Sequence, residues 1–431
     1  MAREYKDSGI EWIGQIPKEW EVCPHKHIMF KKKEIQEHYA GQDIISLTMN
    51  GVVVRDLDAG GKMPLSFDGY QIIYPNNLLL CLFDIDVTPR CVGLINNYGV
   101  TSPAYSQFVV KEKGYPPYYD YLLRYMDDHK CLLHLSKNLR SSLTETDFGQ
   151  IKTCIPPYTE QQKIADYLDK VCGEVDEMLA LQETMIEELK AYKQSVITEA
   201  VTKGLNPNVL MRNSGIDWIG DIPEHWEAKK LKYIVDYIES GTSVNAGNVP
   251  AQANEYGVLK TSAVSKYVFD ATENKTVVSE EMDKVSCPVR KNTIIVSRMN
   301  TPELVGACGY VEKNYDNIFL PDRLWQVHFV DTVYVKFIWY ALRGSNIRNY
   351  YSSLSVGSSS SMQNISQSQF SNGSIPIPSD VEEQCAIASY LDTKCSEIDS
   401  LIDLKQAKIE ELKEYKKSVI YEYVTGKKEI V

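Results

Sequence analysis

Few short segments in this sequence carry residues at spacings that would support catalysis. The segment 58–63, DAGGKM, contains a Gly-Lys pair but lacks the first glycine and the final Ser or Thr of a phosphate-binding P-loop. In IPPY at 155–158, an isoleucine precedes the two prolines and cannot accept a hydrogen bond from a target amine. The segment 321–323, PDR, has no acidic-x-Lys partner at nuclease spacing, and His25 and His27 have no third ligand nearby. We therefore expect no catalysis by the chain itself, no metal site and no cofactor.

Side chains that suit binding are concentrated in two polar segments. Residues 352–374 contain 18 Ser, Gln, Asn and Gly among 23 positions, and the shorter segment 135–148 adds basic residues. Hydroxyl and amide groups in a loop can hydrogen-bond to phosphates and to base edges. A flexible, solvated loop would have the same composition, so both interpretations stay open at this point.

The composition is that of a globular protein, but its charge is unevenly distributed. The 431 residues are 43% hydrophobic and 24% charged, with a net charge of −12, which excludes a mostly disordered chain and a membrane bundle. Much of the acidity lies in residues 160–203 and 381–431, whereas residues 21–155 and 227–380 are close to neutral. The ten scattered cysteines contain no CxxC pair and no secretory signal is visible, so we expect a cytoplasmic protein without membrane association.

Two pairs of repeated segments indicate that the chain contains two copies of one plan. Residues 7–21 (DSGIEWIGQIPKEWE) and 213–227 (NSGIDWIGDIPEHWE) are identical at ten of fifteen positions, at an offset of 206. Residues 186–197 and 409–420 are identical at ten of twelve positions, at an offset of 223. The interiors between them do not align beyond their ends, so the sequence predicts a duplicated frame around different contents. We interpret the tryptophans of the first pair as packing anchors: Trp12, Trp20, Trp218 and Trp226.

The charged segment after each interior has a heptad pattern. Apolar residues recur at spacings of four and three over about four heptads, which predicts coiled-coil helices. A lone helix would expose its apolar seam to water, so we expect the two helices to pack on each other in antiparallel orientation; packing of each helix on its own domain is the alternative. Gln182 and Lys405 occupy equivalent positions that are suited to fixing the register. The predicted seam consists of Leu168, Val175, Leu179, Gln182, Ile186, Leu189, Val196, Leu391, Ile398, Ile402, Lys405, Ile409, Leu412 and Val419.

The interiors contain short β-like runs separated by Gly, Pro and Asn turns, with one helix-like segment in each. The predicted fold class is α+β, with two α/β globular domains separated by two long antiparallel coiled-coil helices in a pseudo-twofold duplication. The predicted boundaries are a first Trp-rich flank at 1–21, a first globular domain at 22–158, a central helix at 159–204, a second flank at 205–227, a second globular domain at 228–378 and a C-terminal helix at 379–431.

The duplicated layout resembles the specificity subunit of type I restriction–modification systems over nearly the whole chain. The resemblance lies in SGIEWIGQIPKEW and SGIDWIGDIPEHW, in IPPYTEQQKIADYLD and IPIPSDVEEQCAIASYLD, and in the two IEELK-x-YK-x-SVI helices. The second interior adds VSRMNTPELVGACGYV, LPDRLWQV and VGSSSSMQNIS, and the first adds LTMNGVVVRD and GVTSPAY. The flank and helix segments occur twice in the same order, which makes the resemblance specific.

This resemblance implies that the globular domains are target-recognition domains, each reading one half of an asymmetric, interrupted sequence in double-stranded DNA. It further implies that the helices set the unread gap and dock two methyltransferase (modification) subunits, with restriction subunits joining the larger complex. Adenine-N6 methylation and ATP-driven cleavage would then belong to those partners. The recognised sequence itself cannot be read from the chain.

Polar and basic side chains in the interiors are the expected DNA contacts. Arginine can fork onto guanine, and asparagine or glutamine can pair with adenine, although each residue could equally be an ordinary surface or salt-bridged one. The expected contacts of the first domain are Asn50, Arg55, Thr88, Arg90, Ser102, Tyr105, Lys137, Arg140 and Ser141. Those of the second are Lys260, Ser262, Arg298, Asn300, Thr301, Arg323, Ser358, Ser359, Ser360 and Gln363.

Two other functional classes remain open on sequence grounds. A self-sufficient DNA methyltransferase or nuclease would need a cofactor loop, and binding of S-adenosylmethionine by the purified chain would support that class. A coiled-coil scaffold without a nucleic-acid role would leave two large, unlike domains unexplained. A gel shift on DNA with the methyltransferase partner present separates the scaffold from the specificity subunit.

Overall fold

The computed structural model describes residues 3–58, 64–136, 141–359 and 362–430, which fall into two compact units. Unit 1 comprises residues 1–183 with 406–431, and unit 2 comprises residues 184–405. Two long helices contribute to both units. Among the described residues, none of the helices combines the length and apolar character needed to span a bilayer.

Among its described residues, unit 1 combines one four-stranded sheet and four two-stranded sheets with α-helices. Its strands are β1 (Tyr5–Asp7), β2 (Gln15–Pro17), β3 (Glu21–Pro24), β4 (Met29–Lys32), β5 (Ile45–Thr48), β6 (Gly51–Val54), β7 (Gln71–Ile73), β8 (Leu78–Leu80), β9 (Val92–Leu94), β10 (Gly99–Thr101), β11 (Ser106–Val110) and β12 (Lys152–Ile155). Its helices are α1 (Pro116–Asp128), α2 (Cys131–His134), α3 (Glu145–Gln150) and α4 (Tyr158–Lys203), the last of which continues into unit 2.

The main sheet of unit 1 is antiparallel, in the order β4-β11-β8-β9. Its strand β8 is a run of three leucines that are fully buried, as expected for a strand covered on both faces. A second layer consists of the pairs β5-β6 and β7-β10, which a parallel bridge between Ile44 and Val100 connects.

Unit 2 contains the same two layers with a third, three-stranded sheet added. Its strands are β13 (Met211–Asn213), β14 (Asp221–Pro223), β15 (Trp226–Lys230), β16 (Val235–Ser240), β17 (Gly257–Leu259), β18 (Asn274–Thr276), β19 (Pro288–Val289), β20 (Thr293–Ser297), β21 (Met299–Asn300), β22 (Cys308–Val311), β23 (Tyr315–Phe319), β24 (Leu324–Phe329), β25 (Val356–Ser359), β26 (Met362–Asn364) and β27 (Ser374–Pro378). Its helices are α5 (Val335–Arg343), α6 (Ser345–Leu354), α7 (Gln367–Asn372) and α8 (Val381–Val424), and α8 continues into unit 1.

The two interiors therefore share a fold that their sequences conceal. The main sheet of unit 2 has the order β16-β24-β20-β22, and its second layer has the order β18-β17-β23-β19 with a parallel β17–β23 pair. Gly93 on β9 and Gly309 on β22 occupy equivalent positions. A Cβ added at either glycine would lie only 2.8 or 2.6 Å from the nearest atom of a packed neighbour. Gln107 on β11 and Gln326 on β24 are both fully buried. Each accepts a hydrogen bond from a backbone N–H just before the neighbouring strand, β8 or β20.

The two long helices run antiparallel within unit 1. Lys416 of α8 binds the Asp176 carboxylate of α4 at 2.6 Å. Tyr167, nearer the start of α4, contacts Tyr423, nearer the end of α8. Their ring centroids are 4.5 Å apart. Residue numbers therefore rise along one helix as they fall along the other.

The same contact recurs within unit 2 with the helices exchanged. Here Lys193 of α4 binds the Asp399 carboxylate of α8 at 2.6 Å, and Val201 shares a core with Leu391. Lys193 and Asp399 stand 223 residues from Lys416 and Asp176, so one ion pair is built twice. The predicted α+β class with two antiparallel helices is confirmed, and all fourteen predicted seam residues are buried or half-buried.

The helix ends also pack on the globular domain of each unit. Tyr121 of α1 donates a hydrogen bond to Asp169 of α4 at 2.7 Å, and Tyr340 of α5 donates to Asp392 of α8 at 2.8 Å. Gln161, in the first turn of α4, is fully buried and accepts the Tyr115 N–H. The two packing modes weighed from the sequence are thus combined, because each helix contacts both its partner helix and a domain.

The Trp-rich flanks form hairpins that cap the start of each long helix. Trp20 and Trp226 are fully buried, and their indole N–H groups donate to Glu160 and Glu383 at 3.0 and 3.1 Å. The other two tryptophans stack on tyrosines within their own units. The four indoles therefore serve packing, in agreement with the sequence interpretation.

Between β3 and β4, unit 1 buries an imidazole where unit 2 buries a leucine. His25 is fully buried and neither ring nitrogen has a partner at hydrogen-bonding distance. Burial lowers the pKa of His25 to about 4. Leu231, at the repeat offset of 206, begins the same type of short helical turn and is also fully buried.

We expect the change His25→Leu to stabilise unit 1 and to flatten its pH dependence. The unfolded imidazole binds a proton below a pKa of about 6.5 and the folded one only below about 4, so wild-type stability falls as the pH drops through that window. Between pH 7.5 and 5.5 this loss is about 1 kcal/mol, and urea unfolding at the two pH values measures it. The exposed His27→Leu control should keep the wild-type slope; an unchanged slope in His25→Leu would contradict the assignment.

Candidate nucleic-acid interface

In both domains, predicted DNA contacts lie in the loop that joins the second and third strands of the main sheet, counted in chain order. We call residues 81–91, between β8 and β9, central loop 1, and residues 298–307, between β20 and β22, central loop 2. Both loops start at the C-terminal end of equivalent strands, β8 and β20. Five of the predicted residues lie in them: Thr88, Arg90, Arg298, Asn300 and Thr301.

Central loop 1 is held firmly at its base and projects a side chain at its tip. Ile85 is 1% exposed, and its N–H donates to the Ser141 carbonyl at 3.2 Å. The Thr88 N–H donates to the Asp84 carbonyl at 2.9 Å, which closes a turn. Val87 within this turn is 73% exposed. The loop therefore presents an apolar side chain from an ordered backbone.

The segment before β11 borders central loop 1. Tyr105 stacks on Phe83 of the loop with ring centroids 6.3 Å apart, and burial raises the pKa of Tyr105. Gln71 donates to the Ser102 and Tyr105 carbonyls at 2.9 and 2.8 Å. The half-buried Arg55 lies close enough to oppose the rise in the tyrosine pKa. Of the predicted contacts, the structure thus gathers five here: Arg55, Thr88, Ser102, Tyr105 and Ser141.

Arg90, at the end of central loop 1, lies near Asn50 of the β5–β6 hairpin. Arg90 binds Asp128 at 2.8 Å and Asp127 at 3.5 Å, so its guanidinium is engaged within the domain. Asn50 is exposed at the tip of the β5–β6 hairpin. The two residues line one cavity of about 910 Å³. The predicted contacts Lys137 and Arg140 lie outside the described residues.

Central loop 2 and its neighbours bring five predicted contacts together through hydrogen bonds. The Arg298 N–H donates to the Arg323 carbonyl at 3.1 Å, and Asn300 on β21 pairs with Gln363 on β26. The Thr301 N–H donates to the Asn300 side chain at 2.9 Å, which begins the turn of the loop. Neighbouring β25 contains two further predicted residues, described for backbone only, and a third lies outside the described residues: Ser358, Ser359 and Ser360.

A groove beside this loop contains the remaining predicted residues of the second domain. Lys260, Ser262 and Arg323 line a cavity of about 570 Å³. Glu273 accepts hydrogen bonds from Ser262 at 2.6 Å and Lys260 at 3.2 Å, and these hold the pKa of the Glu273 carboxyl below its usual range.

Sequence reasoning missed two residues in these sites. Val87 looks like an ordinary strand-edge valine until the burial of Ile85 shows which residue of the loop points outward. Lys275 lies on β18 and lines the same groove as Lys260, although it stands in an unremarked NKTVV run. Among the described residues, no group of three His, Cys, Asp or Glu side chains is arranged to hold a metal ion.

Comparison with known proteins identifies the family. Residues 223–414 match the family model described as Type I restriction modification DNA specificity domain. Residues 223–414 therefore contain a specificity domain of the type I restriction–modification family. The match begins in the second Trp-rich flank and ends within α8, so it includes central loop 2 and the groove beside it.

Curated specificity subunits of type I restriction enzymes align with parts of this chain. The chain is 24% identical over 269 residues to the type I restriction enzyme EcoKI specificity subunit of Escherichia coli (strain K12), covering 61% of this chain and 54% of that protein. It is 28% identical over 250 residues to the MjaVIII specificity subunit of Methanocaldococcus jannaschii, covering 57% and 55%. With the EcoEI specificity subunit of Escherichia coli the identity is 26% over 160 residues, covering 37% and 27%. The chain thus spans about a quarter to about half of the length of these relatives.

Solved structures share the fold at low identity. A chain from a study of complex assembly and conformational transition of the type I R-M system matches with a TM-score of 0.71 at 14% identity, covering 95% of this chain and 98% of that one. The HsdS subunit from Thermoanaerobacter tengcongensis matches with a TM-score of 0.52 at 15% identity, with the same coverage of 95% and 98%. At these identities the likeness concerns the fold alone.

Proposed function

We propose that this chain gives a type I restriction–modification complex its DNA sequence specificity. One observation carries the proposal: two domains with equivalent sheets place unlike side chains on the same connecting loop. Central loop 1 offers an apolar tip, whereas central loop 2 offers arginine and asparagine groups beside Gln363 of β26. Each domain then reads one half of an asymmetric, interrupted site, because different groups match different base edges.

The charge distribution supports binding in a complex rather than by the chain alone. The globular interiors are near neutral and the helices are acidic, whereas strong DNA binding usually engages ~6–10 phosphates. Partner subunits that clamp the duplex would supply the missing positive charge. Methylation of adenine and cleavage of DNA belong to those partners in this proposal, since we assign no catalytic group to this chain.

Exposed apolar side chains on the long helices suggest where the partners dock. In unit 1, Met178 and Leu181 of α4 are 50% and 52% exposed. In unit 2, Leu401 and Leu404 of α8 are 47% and 67% exposed, and they stand 223 residues from the first pair. The coiled-coil seam uses neither pair. One apolar face built twice fits two copies of the same methyltransferase subunit.

A test of the proposal maps methylated adenines in a host that expresses this chain with its methyltransferase. The wild type should give an asymmetric, two-part motif. Val87→Ala in central loop 1 should relax one position in one half-site, and Arg298→Ala in central loop 2 should relax a position in the other. Each lost contact costs ~1–3 kcal/mol of discrimination, which is about 10- to 100-fold between bases.

The control for this mapping is Leu65→Ala, which removes another exposed apolar side chain of unit 1 that is not part of central loop 1. Its methylation motif should match that of the wild type. A palindromic wild-type motif would contradict the division of labour between the domains. The same half-site relaxing in both loop variants would contradict it as well.

A further inference from the structure

One groove of unit 2 gathers positive side chains in a concave, polar setting. Lys260, Lys275 and Arg323 line it, together with residues 243–246 and the hydroxyl of Ser262. We call it the cationic groove. Lys275 reaches it from β18, where it pairs in register with Val258 of β17.

The anions near the cationic groove neutralise only part of this charge. Glu273 is 3.2 Å from Lys260 and also accepts from Ser262. Asp322, the acidic residue that lines the groove, is 3.9 Å from Arg298 of central loop 2.

Lys275 and Arg323, the other two cations of the groove, have no counter-ion among the described residues. Lys275 is half-buried and Arg323 is exposed, and in the part of the chain that the structure describes neither forms an ion pair. Like charges that share a concavity repel each other, and the concave shape concentrates their positive potential. An anion in the groove would relieve this repulsion.

The position of the groove indicates which anion it receives. The Arg323 carbonyl accepts the Arg298 N–H, so the wall of the groove is continuous with central loop 2. Proteins that read bases with one element hold the adjacent sugar–phosphate backbone with lysine, arginine and hydroxyl groups, which set the register without reading sequence. The cationic groove has this set of groups beside the loop.

We propose that the cationic groove binds a phosphate group of the DNA backbone next to the half-site that central loop 2 reads. This inference rests on the proposed function and adds a division of labour within the second domain. Lys275 and Arg323 hold the duplex, whereas central loop 2 discriminates between bases.

The test measures DNA affinity of the complex of this chain with its methyltransferase over a series of salt concentrations. One phosphate contact contributes about 0.9 to the slope of log affinity against log salt, so Lys275→Ala and Arg323→Ala should each lower the slope by about that amount. At 0.15 M salt each variant should lose about fivefold in affinity, equally on the recognised and on random duplexes. The methylated motif should stay that of the wild type.

Matched variants separate charge from folding. Lys275→Arg should keep the slope, and Lys275→Gln, which keeps most of the aliphatic chain, should lose it as Lys275→Ala does. Lys284→Ala, which removes an exposed lysine paired with Glu281 outside the groove, should leave the slope unchanged. An unchanged slope in the Lys275 and Arg323 variants would overturn the inference, as would a change in the methylated bases.

Titration of the chain with inorganic phosphate gives the second arm. Two results together support a backbone phosphate as the occupant: weak phosphate binding that Lys275→Ala abolishes, and a lower slope of log DNA affinity against log salt in the same variant. Phosphate binding lost without any change in the DNA slope would assign the groove to a free anion and overturn the DNA assignment. A wild-type complex that shows no sequence-specific methylation would instead contradict the proposed function itself.

Discussion

In the proposed complex, replacing Met178 and Leu181 by glutamate should release one of two methyltransferase subunits. Both side chains are about half exposed on α4, and burial of a Leu-sized side chain contributes about 1.5–3 kcal/mol to an interface. The two substitutions remove both contacts and place carboxylates in a patch that docking would bury. We expect them to weaken docking by at least ~100-fold. The mass of the purified complex, measured by light scattering, should fall by one subunit.

The repeat provides the matching experiment on the other helix. Leu401→Glu with Leu404→Glu should also remove one subunit, and the fourfold variant should leave the specificity chain without either. Glu187→Ala is the control, because Glu187 lies nine residues, or two and a half turns, from Met178 and so faces away. Loss of both subunits from either double variant would show that the apolar faces do not act as separate docking sites.

The helices were predictable because their pattern is local. A seam of apolar residues every three or four positions requires only that the chain be helical, and the partner helix follows from the need to bury the seam. The ion pair between Asp176 and Lys416 could not be predicted in this way. The two residues are 240 positions apart, and heptad spacing does not define the register of one helix against the other.

The kinship of the two interiors was hidden for a different reason. Equivalent positions such as Gly93 and Gly309 are set by the close approach of a second layer, and the residues around them differ. Only a few positions where backbone or buried amide groups meet are held in common, and these are too sparse for a sequence comparison to find.

The expected DNA contacts show what residue type alone can support. Arg90 has the side chain of a base reader, yet two aspartates of α1, distant in the sequence, engage it. Arg323 has the same chemistry and stays exposed beside a groove. The difference lies in the tertiary neighbours of the two arginines, which residue type alone does not reveal.

Inserting four residues after Lys190 should widen the unread gap of the target by one or two base pairs while both half-sites stay the same. Helix α4 is uninterrupted from Tyr158 to Lys203, and four helical residues add about 6 Å to it. Duplex DNA advances about 3.4 Å per base pair, so this length corresponds to nearly two pairs. Mapping of methylated adenines with the partner present measures the gap directly.

The partner helix decides whether the added turn is transmitted. Lys193 pairs with Asp399 in unit 2, so Lys190 lies opposite Ile402 on the antiparallel helix α8. A single insertion leaves a local stutter in the seam, whereas a second insertion of four residues after Ile402 lengthens both helices at the same level. The double variant should therefore show the wider gap with higher complex stability than the single variant.

A control insertion of four residues after Asn206 adds the same chain length to an exposed linker beyond the end of α4. The core of unit 2 includes Ile197 and Val201 of the helix, so the domain is held by packing rather than by the linker. The gap should then equal that of the wild type. A gap that widens with the linker insertion, or stays constant with the helix insertions, would mean that the helices do not set the spacing, because only added helical rise distinguishes the two designs.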